Sequence, residues 1–205
     1  MRKIVLASNS PRRKELLEKA GIEFEVMPSK CTEKADEEKG VEDIVKELSR
    51  KKAEDVYSRL LMDYEYQPDA KEGDNDFIVI GADTLVYCND RILGKPGNED
   101  DATRMIGMIQ NNTHKVYTGV TLINSLSNGA KGIRTFVEVS EVEVFPMSVD
   151  EIFEYIDTGE PMDKAGAYAI QGVFTKFIKR INGDYNNIVG LPLGRVYSEL
   201  KKLWD

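Results

Sequence analysis

The chain has 205 residues, 41% of them apolar and 31% charged, with a formal net charge of −8. That length suits one domain or two small lobes sharing a core, and the composition excludes wholesale disorder. The negative balance argues against gathering a nucleic-acid polymer by overall field. No apolar run reaches the ~18 residues of a membrane span, and the opening Met-Arg-Lys-Ile-Val-Leu-Ala turns polar too early for a signal peptide, so a soluble cytoplasmic protein is expected.

Ile4 to Ala7 reads as a short buried strand. A helix over 11–20 follows, with Ser10 as N-cap and Pro11 as first helical residue. Arg12, Arg13 and Lys14 then occupy its first turn, where the helix dipole disfavours each cation by roughly 0.3–1 kcal/mol. Basic residues at that end, led in by Ser8 and Ser10, form a candidate anion site. Within a second helix, 41–62, Val41, Ile44, Val45, Leu48 and Val56 define an apolar stripe, and Lys52 falls inside it. Its ammonium either snorkels to the edge or points into a cleft, and spacing does not decide which.

Residues 64–76 carry Pro68, Gly73, Asn75 and several acids, the composition of a surface insertion. Phe77 to Ala82 is a continuous apolar run, the mark of a strand covered on both faces, and Asp83 stands directly at its carboxyl end. Ligands of open α/β sheets bind at such ends. Lys95 follows in a Gly-Lys-Pro-Gly loop, and helices are expected over 99–110, 148–158 and 192–203. Ser148 and Glu151 spell a capping box.

Between these helices, 116–123 and 133–145 read as strands joined through Ser127-Asn128-Gly129. Val137 and Val139 occupy one parity and Val142 and Val144 the other, which predicts a β-bulge near Ser140/Glu141. The fold class is therefore α/β, a mixed twisted sheet with a long antiparallel hairpin. Cys31 and Cys88 make no C-x-x-C pair, and His114, the single histidine, reads as structural or surface. Neither a P-loop nor a G-x-G-x-x-G fingerprint occurs. Chemistry on carboxylates and cations, of the phosphoryl-transfer kind with a divalent ion, is what remains.

Ala7-Ser-Asn-Ser-Pro-Arg-Arg13, Gly81-Ala-Asp-Thr84, Lys95-Pro96, Tyr117-Thr-Gly-Val120, Gly159 to Gly172 and Asn187-Ile-Val-Gly-Leu-Pro-Leu193 occur in an order that resembles the Maf family along nearly the whole chain. The resemblance implies one domain over 1–205 with an inosine-triphosphatase-like, two-lobed architecture and a central cleft. It implies hydrolysis of a nucleoside triphosphate to monophosphate and pyrophosphate with Mg²⁺ or Mn²⁺, dTTP and UTP being the substrates of the similar branch. By the same resemblance Asp83 is the proton acceptor and Glu33 and Asp83 hold the metal. Ser8, Ser10, Arg12, Arg13, Lys52 and Lys95 bind the substrate, and Arg12, Thr84 and Gln171 set specificity. Asp163 and Lys164 are left without an assigned role.

Cys31-Thr32-Glu33 departs from the family in lacking the acid that often precedes the glutamate, and 64–76 has no counterpart in compact members. A homodimer is left open; no membrane or nucleic-acid partner is implied. Two other functions compete with this one, a non-catalytic nucleotide-binding regulator of cell division and a broad sanitiser of modified nucleotides.

Overall fold

The computed structural model describes residues 2–32, 39–65, 76–125 and 131–204. Glu33, the 66–75 part of the expected insertion and the 127–129 turn lie outside the described residues.

The elements run β1 (Lys3–Leu6), α1 (Pro11–Lys19), β2 (Glu25–Val26), α2 (Val41–Glu65), β3 (Phe77–Cys88), β4 (Arg91–Leu93), α3 (Glu99–Ile109), β5 (Thr113–Ser125), β6 (Lys131–Val144), α4 (Val149–Asp157), β7 (Ile178–Asn182), α5 (Tyr185–Val189) and α6 (Leu193–Trp204), with 3-10 turns between α4 and β7. The strands form one sheet in the order β2-β1-β3-β5-β6-β7, with β4 paired to β3. It is mixed, as expected: β1 lies parallel to β2 and β3, while β4 on β3 and β7 on β6 are antiparallel. Phe77 to Ile80 are fully buried, which is why that stretch shows no alternation.

Three details depart from the sequence reading. Strand β3 runs on to Cys88, so Asp83 stands within it, where its continuously buried stretch ends, and not at its carboxyl end. Helix α2 continues to Glu65, so the first two residues of the expected insertion are helical. The bulge is also displaced. Phe136, Ser140, Val142 and Val144 are all buried on one parity of β6, unbroken through Ser140/Glu141. The register with β7 shifts instead between Glu143 and Val144, where Lys179 is the extra residue on β7. Ser140 misled the pattern because it is a polar residue filling an inward position, its hydroxyl donating to the Asp184 carbonyl at 2.8 Å.

The chain divides into two compact units. The first comprises 1–83, 119–137 and 190–205. Its core gathers Val5, Ala7, Ala53, Val56, Tyr57, Leu60, Phe77, Val79 and Ile123. Helix α2 sits very close on the sheet: a Cβ at Gly81 would lie 2.3 Å from the Ser49 carbonyl oxygen, and one at Gly119 would lie 2.2 Å from that of Val45. The second unit comprises 84–118 and 138–189. There α3 buries Met105, Ile106 and Ile109, α4 buries Tyr155 and Ile156, and Phe174 stacks against Tyr155, Tyr168 and Phe177. Asn98 caps α3, and Ser148 with Glu151 closes the capping box on α4. No helix among the described residues is long and apolar enough to cross a membrane.

Candidate active site

Strand β1 ends at Leu6, and its pairing with β3 carries on through the Ala7 N–H, which donates to the Ile80 carbonyl at 2.9 Å. Ser8 and the start of α1 therefore emerge beside Gly81-Ala82-Asp83. Ser10 holds the N-cap position without a side-chain cap, Pro11 follows, and the first turn contains no acid. Arg13 is buried: its Nε donates to the Gly190 carbonyl at 2.8 Å and its Nη1 to Ser8 Oγ at 3.2 Å. The Ser10 N–H also donates to Ser8 Oγ, at 3.1 Å. With both lone pairs of that hydroxyl engaged, its proton is the hydrogen-bonding capacity that remains, and it can only be given to an acceptor. An anion is the acceptor that a basic helix N-terminus attracts. Gly190 adopts φ +129°, a conformation that L side chains rarely take and that presents its carbonyl to Arg13.

Lys52 turns inward. On α2, Ser49, Lys52, Ala53 and Val56 share the face that packs on β3, and Gly81 lets that face approach. Lys52 Nζ donates to Asp83 Oδ1 at 2.6 Å, with each side chain only 9% exposed. A buried carboxylate beside a buried ammonium is costly to assemble and is held by mutual pairing. Of the two alternatives for Lys52 the inward one holds: Gly81 admits the helix closely, and the ammonium meets the buried Asp83 carboxylate.

The first unit therefore brings Ser8, Ser10 and Arg13 together, and Lys52 with Asp83; Arg12, half-buried, lies in the same first turn of α1. Of the other expected residues, Thr84, Lys95 and Gln171 belong to the second unit. Thr84 Oγ1 lies 2.9 Å from Thr118 Oγ1, and Thr118 donates to the Asn187 carbonyl at 3.0 Å. A hydroxyl has one proton, so Thr84 donates to Thr118, and whatever else meets Thr84 Oγ1 meets it as an acceptor. Lys95 is exposed, on a loop fixed by the buried Pro96 and by the Gly166 N–H donating to the Gly94 carbonyl at 3.0 Å. Gln171 is exposed, and Asp163 pairs with Lys164.

Thr118, Asn187 and Gly190 were given no role by the sequence reading, although all stand inside its motifs. Asn187 is fully buried, and its Nδ2 donates to the Val116 carbonyl at 3.1 Å and to Ser140 Oγ at 3.0 Å. His114 is structural: it is buried, its Nε2 is 2.8 Å from the Tyr168 hydroxyl, and burial lowers its pKa from 6.5 to about 4.

Among the described residues no three His, Cys, Asp or Glu side chains converge on a metal position. Among the described residues Asp83 is the carboxylate that pairs with Lys52 at this place. That suits a hard cation such as Mg²⁺, which takes one or two carboxylates and completes its shell with phosphate oxygens and water.

The family model described as "Maf-like protein" matches residues 3–203. A dTTP/UTP pyrophosphatase of Agathobacter rectalis is 50% identical over 203 residues, covering 99% of this chain and 98% of its own. The dTTP/UTP pyrophosphatase of Lachnoclostridium phytofermentans is 48% identical, covering 98% and 95%, and that of Caldicellulosiruptor bescii 45%, covering 99% and 96%. A match from end to end, laid over a paired lysine and aspartate at the close of β3's buried run, means that the chain belongs to the Maf-like protein family.

Proposed function

We propose that this protein hydrolyses a nucleoside triphosphate, dTTP or UTP, to the nucleoside monophosphate and pyrophosphate, acting in the cytoplasm. The observation that carries the reading is the buried Lys52–Asp83 pair at 2.6 Å, in the same unit as the basic N-terminus of α1. Its relatives' names supply the substrate. Asp83 meets Lys52 through Oδ1, and Oδ2 takes the proton of a water whose oxygen attacks the α-phosphorus. The bond from that phosphorus to the α–β bridging oxygen breaks, and pyrophosphate leaves. Ser8 donates its hydroxyl proton to a phosphate oxygen, and Ser10, Arg12, Arg13, Lys52 and Lys95 serve the polyphosphate.

Asp83, with Glu33, would hold a divalent Mg²⁺ or Mn²⁺, which when bound neutralises charge on the phosphates. Arg12, Thr84 and Gln171 read the base. Thr84, as an obligate acceptor, suits the ring N–H of uracil and thymine, and a base without that donor leaves the hydroxyl unmatched.

The test is release of pyrophosphate and monophosphate from UTP and dTTP, with and without Mg²⁺ or Mn²⁺, by the native chain and by Asp83→Asn. The variant is expected to lose about 10²–10⁴-fold in kcat while still binding nucleotide by calorimetry. Normal turnover by Asp83→Asn would remove the base from this scheme, and a native chain that returns every triphosphate unchanged would remove the scheme.

A further inference from the structure

The segment that carries Gln171 is tied to one carboxylate by its backbone. Glu160, in the first 3-10 turn after α4, accepts from the Tyr155 hydroxyl through Oε1 at 2.9 Å and from the Val173 N–H through Oε2 at 3.0 Å. Tyr155 in turn accepts from the Ala169 N–H at 3.3 Å. Both ends of the stretch 169–173 are thus held by a single Tyr155–Glu160 relay. Within it the Gly172 N–H donates to the Ala169 carbonyl at 3.1 Å, which closes a turn with Ile170 and Gln171 at its centre. Ile170 is buried, and Thr175 Oγ1 donates to its carbonyl at 2.7 Å, so Gln171 is the residue this turn presents to solvent. The contact with the carboxylate is tight: a Cβ on Gly172 would stand 1.9 Å from Glu160 Oε2.

We infer that Glu160 is a positioning residue for substrate choice: it fixes the turn so that the Gln171 carboxamide meets the pyrimidine edge in one orientation. The inference rests on the base-reading role proposed for Gln171. Only an ionised carboxylate offers an acceptor oxygen to each of the two donors. A glutamine in its place has one acceptor oxygen, and its amide N–H would face the O–H or N–H donor it should receive. A glutamine side chain held on a wandering backbone carries too much conformational freedom to discriminate; one on a fixed turn does not. Glu160 itself touches no reacting atom in this scheme, and turnover of bound substrate does not depend on it.

The experiment compares kcat and KM for UTP and CTP in the native chain, Glu160→Gln, Gly172→Ala, Gln171→Ala and the Glu160→Gln/Gln171→Ala double variant, with melting temperatures alongside. Glu160→Gln and Gly172→Ala should each lower the UTP-over-CTP preference in kcat/KM by about tenfold, chiefly through KM for UTP, with kcat for UTP within about twofold. The double variant should be no less selective than Gln171→Ala, since both changes remove the same contact.

A merely structural Glu160 would lower the melting temperature and reduce both nucleotides alike; an unchanged preference in both Glu160→Gln and Gly172→Ala, while Gln171→Ala loses it, overturns the inference and leaves the base-reading role standing. If Gln171→Ala keeps the preference, that role falls and the inference with it. Gly172→Ala keeps the Glu160 side chain but pushes its carboxylate off the turn, so a Glu160 variant that does not fold still leaves one readable arm.

Discussion

Lys52 and Asp83 occupy positions where either charge alone would be poorly tolerated, at 7% and 6% exposure. Removing one partner strands the other in a low-dielectric site, which costs several kcal/mol, whereas replacing both by apolar groups restores most of it. Lys52→Met is therefore expected to lower unfolding free energy by about 3 kcal/mol, and Lys52→Met/Asp83→Leu to recover the larger part, read by urea denaturation. A double variant as unstable as the sum of its singles would show that the pair is not coupled. The sequence placed Lys52 in an apolar stripe and Asp83 after an apolar strand, so both anomalies were legible. That the two anomalies answer each other was not, because 31 positions of chain separate them and only the packing of α2 on β3 closes that distance.

At the scale of elements, that packing depends on the absence of a side chain at Gly81. A methyl there would sit 2.3 Å from the Ser49 carbonyl oxygen and 2.8 Å from Ala53 Cβ. Backbone cannot yield as a flexible side chain does, so α2 must move outward. Gly81→Ala is expected to cost about 3 kcal/mol and to draw Lys52 away from Asp83. Denaturant midpoints and kcat should fall together; lost stability with full turnover would show that the helix approach does not serve the site. The helices were largely readable because caps and stripes are local signals: Asn98, Ser148 and Glu151 act where the chain order places them. The bulge was not readable. Ser140 counts as polar in any hydropathy pattern, yet it is fully buried, satisfied by the Asp184 carbonyl and Asn187 Nδ2.

For the molecule as a whole, the single histidine sets a stability window. His114 stays neutral in the folded protein down to about pH 4, because burial disfavours its charged form, while the unfolded chain takes up that proton near pH 6.5. The unfolded state therefore binds more protons between these values. The contribution is complete above about pH 6.5 and is lost as pH falls toward 4, about 3 kcal/mol in all. Unfolding free energy should decline between pH 6.5 and 5, before most carboxylates titrate, and His114→Gln should flatten that stretch. An unchanged slope in the variant would place the sensitivity elsewhere. Cys31 and Cys88 are both free thiols, so no disulfide contributes to the fold.

Sequence alone determined the α/β class, most helix positions, the basic turn after β1 and the family, since each is written in residues near one another or in motifs of fixed order. Tertiary structure alone decided that Lys52 turns inward to Asp83, that Arg13 is locked by Gly190, and that Glu160 grips the turn bearing Gln171. Those pairings join positions brought close by packing, and a side chain's partner across a core is fixed by backbone approach, which composition and periodicity do not encode.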